Sequence, residues 1–176
     1  MKRIVVAVVI VLAGMLGFPP PASAAFWYYP TLPRFASKII MVENHTYTAR
    51  WTNDILLAVR MWDVGTDVSI RYGRCAGSYG CVRIYEANAG PTWTGLTTYN
   101  YNANMYLYPV KIVLNDYYWY LLSAHSHRQT VFHELGHSFG LTYHSKSITT
   151  AMYALIGDFV SMYPNAYDKY VLNHLY

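Results

Sequence analysis

The sequence predicts an α+β fold in which a twisted mixed β-sheet is backed by two helices, a central one and one at the C-terminus. Three observations predict it. Short apolar stretches with a period of two recur between residues 38 and 115, apolar side chains repeat at helical spacing in two internal segments, and they do so again at the end of the chain. With 176 residues, 54% hydrophobic and only 12% charged, the chain has the apolar content of one core-forming domain and not that of a disordered polymer.

The N-terminus is set apart first. Lys2 and Arg3 precede an apolar run over residues 4–18, followed by Pro19, Pro20, Pro21 and then Ala22, Ser23, Ala24. That order is the pattern of a cleavable signal peptide. The run is shorter than the roughly 20 residues that span a bilayer, so no stable membrane insertion is expected after cleavage. Residues 1–24 are therefore read as a leader and residues 25–176 as a single secreted, extracellular domain. Loss of Lys2 and Arg3 halves the formal net charge of +4. No Lys/Arg cluster remains, which argues against nucleic acid or a polybasic membrane patch as partner. In an oxidising compartment, Cys75 and Cys81 are expected to form a disulfide that closes a small loop containing Gly77 and Gly80.

Along the mature chain, residues 26–37 are rich in proline and aromatics and read as an extended arm. Residues 38–42 read as a strand. Trp51, Ile55, Leu56, Val59 and Trp62 place a helix over 48–62. Residues 67–72 and 82–86 alternate as strands, 90–104 reads as loop with at most a short strand, and 111–115 is a clearer strand. A second helix is expected from about Ser126, with Gln129 completing a capping box, to Phe139, where Gly140 stops it. Irregular chain follows to Pro164. Tyr167, Tyr170, Val171, His174 and Leu175 then mark a closing helix.

The chemistry lies on the second helix. His133-Glu134-Leu135-Gly136-His137 puts two imidazoles four residues apart on one helical face, within reach of one metal ion. Glu134, beside the first of them, is placed to take a proton from a metal-activated water and return it to a leaving amine. A catalytic zinc site needs a third protein ligand. No glutamate follows Glu134, and His144 lies just beyond the glycine that lets the chain turn back. His144 is the ligand this elimination favours. His125 and His127 fall at the helix start and are expected to be solvated cap residues.

The run His133-Glu134-x-x-His137-x-x-Gly140-Leu141, the histidine soon after it, and Ala151-Met152-Tyr153 resemble the metzincin metalloproteases, most nearly the matrixin-like members. The resemblance implies a zincin-like fold, one catalytic Zn²⁺ held by His133, His137 and His144, and Glu134 as general base. It also implies that Met152 is the methionine of the turn beneath the metal. The family has two residues between the glycine and its third histidine. Here Leu141, Thr142 and Tyr143 intervene, so the family position falls on Tyr143, which stays the alternative to His144. By the same resemblance the strand at 111–115 is expected at the sheet edge, pairing with a bound peptide. No prodomain cysteine precedes residue 38. The implied activity is that of a secreted, monomeric zinc endopeptidase acting on peptides or proteins. The competing expectation is a secreted zinc-binding or interaction protein that keeps the scaffold without activity.

Overall fold

The computed structural model describes residues 6–7, 32–77 and 79–176. Most of the expected leader and half of the N-terminal arm lie outside them. Among the described residues the architecture is α+β, with a mixed sheet and three α-helices. Strands β2 (Ile39–Asn44), β3 (Ser69–Tyr72), β4 (Cys81–Ala87), β5 (Gly95–Tyr101) and β6 (Leu107–Asn115) make the body of the sheet. β1 (Val6–Ala7) adds a two-residue antiparallel rung against Thr98 and Tyr99 on the outer edge of β5. The order is β1-β5-β6-β4-β2-β3, with β3, β2, β4 and β6 parallel and β5 antiparallel to β6.

Helix α1 (Thr52–Asp63) connects the parallel strands β2 and β3, and helix α2 (Ala124–Ser138) packs beside it against β5 and β6. Their shared surface carries the core: Ile55, Ala58, Val59 and Trp62 from α1 meet Val131, Phe132, Leu135 and the following Phe139. Trp62 Nε1 donates to the Phe132 carbonyl at 3.0 Å, which satisfies the indole at the buried contact. From the sheet, Ile40, Val42, Val82, Ile84, Val110, Ile112 and Leu114 complete it.

Four expectations are corrected. The first helix begins at Thr52, not residue 48, because the Thr48 backbone N–H and hydroxyl are bound to the Glu86 carboxylate at 2.6 and 2.7 Å. Residues 90–104, expected as loop with at most a short strand, contain the seven-residue strand β5. The strand containing 111–115 therefore lies inside the sheet between β5 and β4, and the antiparallel edge of the five-strand body is β5. Finally, Ser123 caps α2, accepting from the Ser126 N–H, while Gln129 serves other partners.

Cys75 and Cys81 form the expected disulfide, with Cα atoms 5.7 Å apart. Helix α3 (Ala166–Leu175) closes the chain as expected and begins with a capping box between Asn165 and Asp168. No helix among the described residues is long and apolar enough to cross a membrane.

Candidate metal centre

The helix α2 is enclosed almost all round, so its polar residues need partners inside the protein. His133, Glu134 and His137 are each fully buried. A carbonyl only accepts, so the ring nitrogen facing one must carry the proton. His133 Nδ1 faces the Ala151 carbonyl at 2.8 Å, and His137 Nδ1 faces the Leu141 carbonyl at 2.6 Å. These contacts fix both Nδ1 atoms as donors and leave both Nε2 atoms with bare lone pairs.

Those lone pairs converge. His137 Nε2 lies 2.9 Å from His133 Nε2 and 3.1 Å from His144 Nε2. Unprotonated nitrogens facing one another repel, and a hydrogen bond between His133 and His137 is excluded because neither Nε2 carries a proton. A cation among them turns that repulsion into attraction. Tetrahedral ligands about 2.05 Å from a zinc ion stand roughly 3.3 Å apart, close to the separations seen. The donor set therefore fits a metal ion, and His133, His137 and His144 could hold one together. The other such grouping among the described residues, Glu43 with Cys75 and Cys81, has its sulfurs joined in the disulfide.

Burial, reinforced by His137, holds His133 neutral well below the usual imidazole range. Burial likewise pushes His137 down to about 3, while partial desolvation of its ring lowers His144, which as a residue stays exposed. A cation therefore meets ligands that are already deprotonated at neutral pH. Burial acts in the opposite sense on Glu134, raising its carboxyl to about 8 against the hydrogen bonds from Thr97 that favour the anion. Glu134 is outside the group of ligand atoms lying within 4.8 Å of one another. Its Oε2 meets the Thr97 hydroxyl at 2.6 Å, while Oε1 is buried with no partner.

His144 reaches the cluster because the chain turns at Gly140, just after α2 ends. That residue adopts φ +104°, and the Leu141 N–H bonds back to the Gly136 carbonyl at 3.1 Å. Such a turn favours glycine. A Cβ there would also lie 2.1 Å from the Pro33 carbonyl oxygen. Beneath the helix sits Met152, fully buried, whose Sδ would be 2.3 Å from a Cβ built on Gly136. The glycine between the two histidines thus admits the methionine and the Trp62 ring.

Tyr143, the residue before His144, turns its hydroxyl away from the cluster. Its hydroxyl donates to Asp168 Oδ1 at 2.6 Å. The other carboxylate oxygen accepts from the Thr150 hydroxyl and, at 3.0 Å, from the Asn165 N–H. Thr150 Oγ1 in turn accepts from the Met152 N–H at 3.1 Å. The buried Asp168 therefore ties the residue before His144, the turn bearing Met152 and the start of α3 to one point. Burial raises its carboxyl, against the Thr150 and Tyr143 hydroxyls that favour the anion.

Residues 155–160 are fastened to α2. The Gln129 amide donates to the Leu155 carbonyl at 3.0 Å and accepts from the Gly157 N–H at 2.9 Å. Asp158 accepts from Ser123 and Ser126, and His125 Nε2 meets the Val160 carbonyl at 2.7 Å. The expectation of solvated cap histidines is corrected here. His127 is buried and stacked on Trp119 with ring centroids 4.3 Å apart, and His125 is half-buried against Val160. Neither joins the cluster. Sequence reasoning also missed Thr97, Asp168 and Gln129. Only Asp168 left a signal, as an acid three residues after Asn165 at the start of the closing helix.

No known protein-family model matches the chain, and no curated protein matches it significantly.

Proposed function

We propose that the protein is a secreted, zinc-dependent endopeptidase of zincin-like fold, with Zn²⁺ held by His133, His137 and His144. The observation that carries the reading is the set of three imidazole Nε2 atoms turned toward one another, beside a buried carboxylate on the helix that carries His133 and His137. Structural metal sites have no use for a neighbouring free carboxylate, whereas hydrolysis requires a base. When bound, the zinc supplies Lewis-acid polarisation to water and to a scissile carbonyl.

The chain's own residues do the rest. His133 and His137 keep their ligating tautomers through the Ala151 and Leu141 carbonyls. Glu134 takes the proton of the attacking water and gives it to the leaving amine. A cation nearby favours its carboxylate form and offsets the upward shift that burial imposes. Met152 supports the helix from below. A peptide substrate is read as adding antiparallel to β5, the edge of the strand body, at the place that β1 of the expected leader occupies before cleavage. The leader pattern and the disulfide support export.

The test is zinc content and cleavage of unstructured casein by the mature chain, compared with Glu134→Ala and His144→Ala. Wild type is expected to hold one zinc per chain and to cleave. Glu134→Ala should keep the metal and lose about 10²–10⁴-fold in rate, while His144→Ala should lose zinc. Zinc binding without any hydrolysis would identify a zinc-binding scaffold and sink the peptidase reading.

A further inference from the structure

We propose that Thr97 is the positioning residue of Glu134, fixing the direction of its carboxylate from the strand on which substrate is read to bind. The inference rests on the reading of Glu134 as the base.

Strand β5 alternates across the sheet, with Gly95, Thr97 and Tyr99 buried and Leu96 and Thr98 less so. The inward set faces α2. At Gly95 the strand comes so close that a Cβ would stand 2.6 Å from Glu134 Cγ and 2.8 Å from Thr130 Cγ2. The Glu134 side chain is thereby confined on the strand side by backbone. Thr97 follows two residues later, fully buried, with Oγ1 2.6 Å from Glu134 Oε2 and 3.0 Å from the Glu134 carbonyl oxygen. One hydroxyl has one proton, and the carboxylate at the shorter contact is the stronger acceptor.

The result is a carboxylate held asymmetrically. Oε2 is tied to the strand, while Oε1 is buried without a partner, leaving one oxygen with its lone pairs available for a proton. A β-branched residue suits this task because its χ1 is restricted and the hydroxyl does not wander. An apolar isostere would fill the same volume and hold nothing. Because Thr97 belongs to β5 itself, the strand read as the substrate edge also aligns the base with it.

Thr97→Val and Thr97→Ser separate packing from hydrogen bonding. Both variants and wild type would be loaded with zinc, crystallised, and assayed on casein for kcat and KM. Thr97→Val is expected to keep one zinc and an unchanged KM while kcat falls about 10–100-fold, with the Glu134 carboxylate displaced from its wild-type position in the crystal. Thr97→Ser should restore both the carboxylate position and kcat. An undisplaced carboxylate with unchanged kcat in Thr97→Val would overturn the proposal, as would a serine variant that fails to restore either. If wild type does not cleave, the peptidase reading fails by itself, and the carboxylate position in the valine variant still decides whether Thr97 holds Glu134.

Discussion

His133, Glu134 and His137 ride on α2, where backbone hydrogen bonds set their spacing, whereas His144 and Met152 sit on residues 141–165, which contain no helix or strand. In the first region the geometry comes from the helix, and the side chains are free to do chemistry. In the second, side chains hold the chain itself: Tyr143 and Thr150 on Asp168, Gln129 on Leu155 and Gly157, Ser123 and Ser126 on Asp158. A regular half presents a motif that can be read by counting, and an irregular half must be assembled from contacts distant in sequence. The comparison therefore predicts that substitutions far from the metal centre act most strongly where the two halves join, and more weakly inside either.

The junction is Gly140. Gly140→Ala combines an unfavourable positive φ with a Cβ placed 2.1 Å from the Pro33 carbonyl oxygen, a backbone atom with no flexible end to move. The expected loss is about 4 kcal/mol or more in urea unfolding. A loss under about 1 kcal/mol would mean that the irregular half shifts freely against the helix, and the distinction between the halves would collapse. Next in size is Asp168→Ala. It leaves the Tyr143 and Thr150 hydroxyls without their acceptor and should destabilise by about 3 kcal/mol. Zinc affinity, measured by competition with a chelator, should fall about 10–100-fold although no ligand is touched.

The same contrast explains what was legible in the sequence. The spacing His133, His137, Gly140 could be counted, and His144 followed by elimination, because the turn after a glycine needs no partner elsewhere. Asp168 offered only an acid in the first turn of a helix, and nothing in its neighbourhood names Tyr143 or Thr150. Strand β5 was legible only as a short strand within the 90–104 loop, for a different reason. Its inward positions begin with Gly95 and Thr97, small because Glu134 lies against them, so the apolar alternation that marks a strand is weak there. The edge expectation for 111–115 rested on the family resemblance alone. In the fold that strand pairs on both sides, and Lys111 is exposed between buried Val110 and Ile112 because one face of the sheet is open.

A third prediction bears on the helical half, which contains buried titratable groups where the irregular half contains paired ones. In metal-free protein, Glu134 titrates near 8 in the fold and near its ordinary value of 4.5 when unfolded. The folded state thus binds the extra proton, and stability present at low pH is lost as pH rises toward 8. His137 runs the other way. With its folded value near 3, its contribution is complete above the ordinary 6.5 and is lost below it. Between roughly pH 6.5 and 8 the Glu134 limb stands alone, and metal-free wild type should lose about 2 kcal/mol across that window. Glu134→Gln should flatten the limb, and zinc should abolish it in wild type by favouring the carboxylate. An equal slope in the glutamine variant would place the titration elsewhere.

The smallest expected effect is the most specific to the irregular half. Tyr143 occupies the position where the family resemblance puts a histidine, yet its hydroxyl is spent on Asp168. If it acts only as an anchor, Tyr143→Phe removes one hydrogen bond and leaves the ring packed against the core. About 1 kcal/mol of stability should go, read in urea unfolding, and one zinc per chain should remain. If Tyr143 were instead the third ligand, the phenylalanine variant would lose its zinc while His144→Ala kept it. The pair of variants thus assigns the ligand regardless of whether the protein cleaves anything. It also measures how much of the placement of His144 rests on Tyr143 and how much on the other groups gathered at Asp168. A zinc affinity that falls about tenfold in Tyr143→Phe, with stoichiometry unchanged, would show that the Tyr143 hydroxyl helps to aim the loop that carries His144.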